Sequence, residues 1–481
     1  MRDQVLNSLK WVAIGKMLGQ SIRWLTTIFT LRLLFPEDYT VIALGAFFSS
    51  LLWSVSTGGI ASALIREKDL SVEKTREFFT FMIMAHVLFF ILLQLSSPYI
   101  AEFYANPSVE PALQVTSFGF LIVLIGITQQ THLNRNMQFK RLSMIDAICE
   151  SIGSISTLAL AYYGMGFWSI IAGNLIATSL RQFGYIWATK LVVLPSKITK
   201  SVTNMIAFAK RASFHGVLAH VSNNIDIAIA GILMTAYEVG IYQFAVVVAM
   251  MPASKVMPLI RQVAFPAYSK LQDSKDSQRW YFLKSIRLAY FVFVPVFWGL
   301  AACSLIAVPL IFGEKWSEAA IVMLVYCLSM PLRSGNQMFS PLLKSSNHLF
   351  TMISNMVISI CVLVPCFYLL GNSPVGMGYA WLVGYFICYL ITSTRSCRAL
   401  DIPLRKKWAS IVYPFIAGVI MFVATFYAGE RLLDLGLSPL VTLLGQIALG
   451  GFTYIGALFV MNKAVLIESI DLLRKKKPIG A

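Results

Sequence analysis

Fourteen apolar stretches, each about 20 residues or longer, dominate this chain of 481 residues. A helix rises about 1.5 Å per residue, so about 20 apolar residues cross the ~30 Å hydrocarbon core of a bilayer. Only 13% of the residues are charged, against about 25% in soluble domains. We therefore predict an all-α, polytopic membrane protein. The predicted spans are 9–34, 40–65, 78–100, 111–131, 144–163, 166–188, 205–233, 239–262, 284–312, 319–343, 350–370, 375–396, 409–428 and 439–461.

The basic residues lie on alternate loops. With the N-terminus inside, 31 of the 39 lysines and arginines fall in cytoplasmic segments, three on the opposite side and five within spans. Cytoplasmic loops of membrane proteins carry such an excess of Lys and Arg. We therefore expect a multi-pass membrane protein with both termini in the cytoplasm. The net charge of +17 then reflects topology, and no nucleic-acid partner is expected.

The chain contains a weak internal repeat. Residues 33–42 and 233–242 are similar and follow the first and seventh predicted spans, 200 residues apart. Parallel repeats in transporters place the substrate site at their interface. The predicted domains are an N-terminal lobe at 1–203 (helices 1–6), a C-terminal lobe at 204–397 (helices 7–12), and two extra helices with a basic cytoplasmic tail at 398–481.

Polar residues recur along one face of the first span. Lys16, Gln20, Arg23, Thr27 and Thr30 are spaced at i, i+4, i+7, i+11 and i+14, which places them on one side of a helix. Ionisable side chains at bilayer depth are expensive and mark functional sites. One interpretation is a cavity wall that offers positive charge to an anionic substrate. The alternative is that Lys16 snorkels inward and Arg23 pairs with a buried acid.

The tenth span repeats this pattern, with Arg333 near its middle and Asn336 on the same face. Further polar residues lie in spans 7 and 8, where Lys255 is close enough to the inner boundary to snorkel. The predicted cationic substrate-binding set is Arg23, Arg333, Lys16 and Lys255, and the predicted polar cavity residues are Gln20, Thr27, Asn223, Asn224 and Asn336.

Spans 5 and 6 carry opposite charges at similar depth. Asp146 and Glu150 are four residues apart near the inner end of span 5, and Arg181 lies in span 6. One interpretation is a structural ion pair between Arg181 and Glu150. The other is a carboxylate that couples transport to a proton or cation, for which Asp226 in span 7 is a further candidate.

Enzymatic chemistry has no support in the sequence. There is no G-x-x-x-x-G-K-[ST] phosphate loop, no metal pair among the five dispersed histidines, and no long outward loop. We therefore expect a protein that is not an enzyme and has neither a metal site nor a cofactor.

Seven short motifs occur in a fixed order along the chain. They are Leu133-Asn-Arg-Asn-Met-Gln-Phe-Lys-Arg141, Asn224-Ile-Asp226, Gly231-Ile-Leu, Gly240-Ile-Tyr-Gln-Phe-Ala245, Phe265-Pro-Ala-Tyr-Ser-Lys-Leu-Gln-Asp273, Phe312-Gly-Glu-Lys-Trp316 and Leu332-Arg-Ser-Gly-Asn336. Together they resemble the Wzx-type oligosaccharide flippases of the MOP (multidrug/oligosaccharidyl-lipid/polysaccharide) exporter superfamily, in the branch that contains the colanic-acid flippase. The chain departs from its own repeat at Thr40, where the second copy has Gly240, a difference expected to affect the turn.

The resemblance implies a MATE-like fold of 14 helices with a V-shaped central cavity. It implies a flippase that moves polyprenyl-pyrophosphate-linked O-antigen or exopolysaccharide repeat units from the cytoplasmic to the periplasmic leaflet by alternating access. Cavity cations of such proteins engage the anionic headgroup, a role that falls on Arg23 and Arg333 first and on Lys16 and Lys255 next. The resemblance also implies an ion gradient of H⁺ or Na⁺ as the driving force.

Three other functions stay open. A peptidoglycan-precursor flippase would carry the same pyrophosphate lipid. A multidrug or cation antiporter of the same superfamily is disfavoured because the predicted cavity has more cations than acids. A membrane glycan polymerase or ligase is disfavoured by the short outward loops. We expect a monomer in contact with membrane lipid, beside other membrane proteins of polysaccharide assembly.

Overall fold

The computed structural model describes residues 22–67, 71–270 and 274–474. Side chains are described throughout these ranges except at 57–58, 61, 65–66, 254–267, 269–270 and 464–474. Every regular element in the described ranges is helical. The predicted all-α fold class is therefore confirmed.

The chain forms two compact units, Met1–Gly240 and Ile241–Ala481. Compactness does not test where a sequence repeat begins, so the lobe boundaries at 203/204 and 397/398 stay predictions. The helices of the first unit are α1 (described from residue 22 to 33), α2 (Pro36–Val55), α3 (Ser62–Arg66), α4 (Val72–Phe103), α5 (Val109–Leu124), α6 (Ile127–Arg135), α7 (Phe139–Tyr162), α8 (Trp168–Thr189) and α9 (Thr203–Leu233).

The second unit contains most of α10, which begins in the first unit. Its helices are α10 (Ala236–Lys270), α11 (Lys275–Phe312), α12 (Ser317–Gln337), α13 (Phe339–Ser345), α14 (Leu349–Leu370), α15 (Pro374–Ala399), α16 (Leu404–Asp434) and α17 (Pro439–Arg474). An aromatic core forms where α10 meets the end of α11, with the Phe244 ring stacked on Trp316 at 4.1 Å between centroids.

The internal repeat is visible in how α2 and α10 begin. Asp38 accepts a hydrogen bond from the Phe35 amide at 3.0 Å, and Glu238 accepts one from the Thr235 amide at 2.9 Å. Each acidic side chain satisfies a backbone donor at its helix N-terminus, where negative charge is favourable. The two helices start 200 residues apart, at Pro36 and Ala236, which is the offset of the sequence repeat.

The difference between Thr40 and Gly240 is explained by how the first turns of α2 and α10 pack against each other. A Cβ at Gly240 would lie 1.8 Å from the Pro36 carbonyl oxygen, so only glycine fits there. At the equivalent position, the Thr40 hydroxyl donates to the Ala236 carbonyl. The expected change in the turn is therefore wrong, because both turns keep the same acidic cap.

Helix α9 packs along α2. His220 Nε2 donates to the Phe47 carbonyl at 3.1 Å. Two glycines allow the close approach: a Cβ at Gly216 would lie 2.7 Å from the Ser54 carbonyl oxygen, and one at Gly59 would lie 1.9 Å from Ser213 Oγ. One face of α2 is thus covered by α9. The C-terminal end of α2 continues through a π-helix, Ser56–Ala61, into α3.

Three predicted spans are not single straight helices. The span predicted at 111–131 is broken into α5 and α6, which meet at a bend of 52°. The one at 40–65 is α2, the π-helix and α3, and the one at 319–343 is α12 followed by α13. Hydropathy predicted where apolar residues lie but not where the helical hydrogen-bond register is interrupted.

Ten helices in the described part of the chain are long and apolar enough to cross a membrane, or eleven if α5 and α6 form one span. Helices α8 and α12 have 22 and 21 residues but are outside this set, and both carry buried polar residues of the candidate sites. The protein is therefore a multi-pass membrane protein, while the count of fourteen spans stays a prediction.

Candidate functional site

The first unit encloses a cavity of about 740 Å³ among α1, α2, α5, α7 and α8. This volume falls within the roughly 300–1,000 Å³ of ligand-binding pockets. Polar side chains from all five of these helices line it, and Trp53 contributes an aromatic wall whose indole stacks on Phe120 at 4.7 Å. The cavity is the candidate functional site of this unit.

Helix α1 supplies one polar wall of the cavity. Arg23, Thr26, Thr27 and Thr30 all line it, at spacings that place them on one helix face. Of the predicted residues, Arg23 and Thr27 are therefore in the cavity wall. Lys16 and Gln20 lie outside the described residues, so their roles stay predictions.

A cluster of four charges lies at one end of the cavity. Arg23 forms an ion pair with Glu150 on α7, and Arg181 Nη2 on α8 lies 3.5 Å from the other oxygen of the same carboxylate. Arg181 Nε lies 3.6 Å from Asp146 Oδ1, which also accepts a hydrogen bond of 2.5 Å from the Tyr185 hydroxyl. Two guanidinium groups are thus balanced by two carboxylates.

The cluster gives Arg23 an acidic partner. Arg23 pairs with Glu150 across 127 positions of sequence, although this carboxylate is 36% exposed and the alternative interpretation held that the acid is buried. The predicted contact between Arg181 and Glu150 is also present. Whether either carboxylate couples to an ion, and whether Arg23 binds substrate, stay predictions.

The other end of the cavity is uncharged. Helices α7 and α8 come close there because Gly153 and Gly173 face each other: a Cβ on either would lie 2.9 Å from the other's carbonyl oxygen. Thr157 and Asn174 line the cavity at this level. Seven residues separate Glu150 from Thr157, which is roughly 10 Å along a helix. The cavity therefore has a charged end and a hydroxyl- and amide-bearing end.

The predicted polar residues of α9 belong to a different part of the first unit. Asn224 Nδ2 donates to the His220 carbonyl at 2.9 Å, and Asn223 Nδ2 donates to the Ala219 carbonyl at 2.6 Å. Asp226 is buried. Among the residues that line the described cavity, none of these three occurs, so the structure does not bring them together with Arg23 and Thr27.

In the second unit, Arg333 is surrounded by aromatic side chains. It is 2% exposed, its guanidinium lies 4.3 Å from the centre of the Trp381 ring, and Nη1 donates to the Tyr326 hydroxyl at 2.5 Å. Asn336, one turn further along α12, accepts a hydrogen bond of 3.1 Å from the Thr392 hydroxyl. The side chain of Lys255 lies outside the described side chains, and its role stays a prediction.

Lys407 is a buried cation that sequence reasoning missed. It has no exposed surface, donates to the Ser393 hydroxyl at 2.9 Å, and lies 3.7 and 4.7 Å from the ring centres of Trp408 and Tyr389. No carboxylate of the described residues forms a salt bridge with it. The sequence placed it with the exposed basic residues of 395–407, and only the adjacent tryptophan hinted at a ring contact.

The fold matches that of known membrane transporters. The structure aligns with the lipid II flippase MurJ in an inward closed conformation at a TM-score of 0.76 and 14% identity, over 96% of this chain and 99% of that one. It aligns with an inward-facing MATE-family multidrug transporter of the MOP superfamily at 0.61 and 15%, over 82% and 99%. The chain therefore has the fold of a MOP-superfamily transporter, as predicted.

The family follows from the sequence comparison: the chain belongs to the polysaccharide biosynthesis protein family, whose profile matches residues 30–321. It is 22% identical to an uncharacterized membrane protein in the cps region of Klebsiella pneumoniae, over 99% of both chains. It is 21% identical to the lipopolysaccharide biosynthesis protein WzxC of Escherichia coli, over 89% and 88%, and 21% identical to the succinoglycan biosynthesis transport protein ExoT of Rhizobium meliloti, over 99% and 97%. The predicted relationship to Wzx-type flippases is confirmed.

Proposed function

We propose that this protein is a flippase that moves polyprenyl-pyrophosphate-linked oligosaccharide repeat units from the cytoplasmic to the periplasmic leaflet of a bacterial inner membrane by alternating access. One observation carries the proposal: a member of the polysaccharide biosynthesis family has the fold of a membrane transporter. The relatives named above for lipopolysaccharide and succinoglycan biosynthesis support the same cargo class. The protein is a transporter and not an enzyme.

The cargo's pyrophosphate needs compensating positive charge inside the membrane, because opposite charges attract more strongly at low dielectric than in water. Arg333 is the proposed contact, whereas Arg23, predicted for the same role, is paired with Glu150. A guanidinium presents a planar fork of donors that matches phosphate oxygens. Lys16 and Lys255 are proposed as further contacts. The Trp381 ring that contacts the Arg333 guanidinium carries no charge and does not cancel that of the arginine, which supports this assignment.

An ion gradient is the proposed energy source, with H⁺ or Na⁺ as the coupling ion. Glu150 is the favoured coupling group because it touches both Arg23 and Arg181. Protonation of this carboxylate would break the ion pair of Arg23, whereas Arg181 would keep its contact with Asp146. A single proton would thus loosen the link between α1 and α7. Asp146 and Asp226 are the other candidates.

Two features concern the protein's place in the membrane. We propose that both termini lie in the cytoplasm, on the strength of the 31-to-3 distribution of basic residues outside the spans. We further propose that the chain acts as a monomer beside the other membrane proteins of polysaccharide assembly.

The test is deletion of the gene in its native host, followed by analysis of surface polysaccharide and of lipid-linked intermediates. We expect surface polysaccharide to disappear and lipid-linked oligosaccharide to accumulate in the cytoplasmic leaflet, with both restored by the full chain on a plasmid. An unchanged surface polysaccharide would refute the proposal. Loss of viability with accumulation of peptidoglycan precursor would favour a peptidoglycan-precursor flippase instead.

A further inference from the structure

Neutral polar side chains line the cavity in the first unit. On α8, Asn174, Thr178 and Gln182 line it at i, i+4 and i+8, so they form one stripe along the helix. This stripe runs from the uncharged end at Asn174 to the charged end, where Gln182 follows Arg181. Thr27 and Thr30 of α1 line the same space. Hydroxyl and amide groups both donate and accept hydrogen bonds, so this lining matches a ligand that does the same.

Two of these groups have no hydrogen-bond partner in the described protein. The Thr30 hydroxyl oxygen and the Gln182 carbonyl oxygen are both unpartnered, in side chains of residues only 3% and 2% exposed. Buried polar groups in proteins are normally hydrogen-bonded, and the exceptions call for an explanation. The Gln182 oxygen lies against Gly126 at the α5–α6 bend, whereas a ligand with several hydroxyl groups, placed against α1, would give the Thr30 oxygen a partner.

The charged end argues against a phosphate as the main ligand of this cavity. Arg23 and Arg181 are already neutralised by Glu150 and Asp146, so the cluster has no net charge to offer a pyrophosphate. A neutral ligand needs no such charge. The indole of Trp53 adds a flat apolar wall, against which the C–H face of a sugar ring can pack.

We infer that this cavity binds the sugar rings of the lipid-linked oligosaccharide, with Thr30, Asn174 and Thr178 as hydrogen-bonding residues. The inference rests on the proposed function and adds a division of the cargo: sugar in the cavity of the first unit, pyrophosphate outside it. The substrate specificity of the transporter is then set by the α1 and α8 stripes.

The test measures binding of two lipids to the full-length protein in nanodiscs. One is sugar-free undecaprenyl pyrophosphate, and the other is the lipid-linked oligosaccharide purified from the deletion strain. The variant combines Asn174→Leu and Thr178→Val, which remove hydrogen bonds and keep side-chain size. We expect its Kd for the oligosaccharide lipid to rise about tenfold, in line with the loss of two hydrogen bonds, and its Kd for the sugar-free lipid to stay unchanged.

Matched variants distinguish a loss of binding from a loss of folding. Thr30→Val alters the opposite wall and should weaken binding of the oligosaccharide lipid in the same selective way. Thr453→Val makes the same chemical change on α17, where the hydroxyl donates to its own helix at 2.8 Å, and should change neither Kd. Gel filtration and thermal unfolding confirm that each variant is folded.

The remaining outcomes are decisive. Wild-type affinity of all cavity variants for the oligosaccharide lipid would overturn the inference, and an equal loss for both lipids would assign the cavity to the pyrophosphate. If the wild-type protein binds neither lipid, the proposed function fails and the inference falls with it. If it binds both and only the variants behave unexpectedly, the inference alone fails.

Discussion

The two units keep cations inside the protein in different ways. In the first unit, Arg23 and Arg181 contact carboxylates. In the second, Arg333 and Lys407 lie against aromatic rings. An ion pair compensates for lost hydration by cancelling the charge, whereas a ring compensates for it and leaves the positive charge in place. The comparison teaches that burial of a cation does not by itself predict an anion site.

This difference is consistent with the separate tasks proposed for the two units. The neutral cluster is the proposed site of ion coupling, and the hydroxyl groups beside it are the proposed sugar contacts. Arg333, held by Trp381 and Tyr326, is the proposed contact for the pyrophosphate. Substitutions in each unit test this separation.

The largest effect is expected from Arg333→Ala. It removes the proposed pyrophosphate contact of the second unit, so transport should fall by about tenfold to a hundredfold, the equivalent of the roughly 1.5–3 kcal/mol typical of a charged hydrogen bond. Arg333→Lys should keep part of the activity, since an ammonium can lie over a ring but lacks the planar fork. Surface polysaccharide in the complemented deletion strain is the measurement.

Ser329→Ala is the control for Arg333, because this buried serine on the same helix donates only to the Tyr326 carbonyl, at 2.7 Å. It should support nearly normal polysaccharide. Full activity of Arg333→Ala at wild-type protein levels would remove the second unit from substrate binding. A greater loss of surface polysaccharide in Arg23→Ala than in Arg333→Ala would assign the pyrophosphate contact to the first unit instead of the second.

The Arg333 site shows what sequence could and could not predict. Spacing along α12 placed Arg333 and Asn336 on one face, and the structure agrees for both positions. The ring contact to Trp381 joins residues 48 positions apart, and no local pattern reports such a contact. Likewise, Arg181 and Glu150 were predictable as a pair because their spans form a hairpin, whereas the Arg23 contact to Glu150 depends on how distant helices pack.

The next effect is expected from Glu150→Gln, which leaves Arg23 and Arg181 without the carboxylate they share. The side chains of Arg23 and Glu150 are 40% and 36% exposed, so the loss in unfolding free energy should be about 1–2 kcal/mol rather than the roughly 3–5 of a fully buried pair. Adding Arg23→Gln should cost less than the sum of the single changes. Thermal unfolding of purified protein in detergent measures both.

The shared contacts also make a charge swap uninformative. Exchanging Glu150 and Arg181 would place the new arginine beside Arg23 and the new glutamate beside Asp146, so like charges would meet on both sides. The double-mutant comparison of Glu150 and Arg23 avoids this. Strictly additive losses would contradict the ion-pair network.

The smallest effect is expected from Lys407→Met. Methionine has a similar length and also packs favourably against rings, and replacing a buried cation by an apolar side chain is often neutral. The free energy of unfolding should change by less than about 1 kcal/mol, whereas Lys407→Glu should be strongly destabilising because it places a carboxylate against ring faces. A larger loss of unfolding free energy in Lys407→Met than in Glu150→Gln would contradict the difference between the two units.

Lys407 and the α5–α6 bend share one reason for escaping prediction. Hydropathy and charge counting treat each residue by its position along the chain, so a lysine next to Arg405 and Lys406 counts as surface. Its burial depends on α15 and α16 packing so that Ser393 and Tyr389 reach it. The bend at 52° likewise depends on backbone geometry near Gly126 that apolar content does not encode.

The packing of α9 on α2 has a practical consequence for anyone who divides this protein into fragments. By its place in the repeat, α9 opens the second half, yet Gly216, His220 and Ser213 lie against α2 and the π-helix that follows it. A gene cut in the 190–202 segment would give a first fragment in which α2 lacks the helix that packs against it. The second fragment would carry α9 without α2. A cut at the turn between Leu233 and Ala236 keeps each compact body nearly whole, and it is there that co-expressed halves should reassemble.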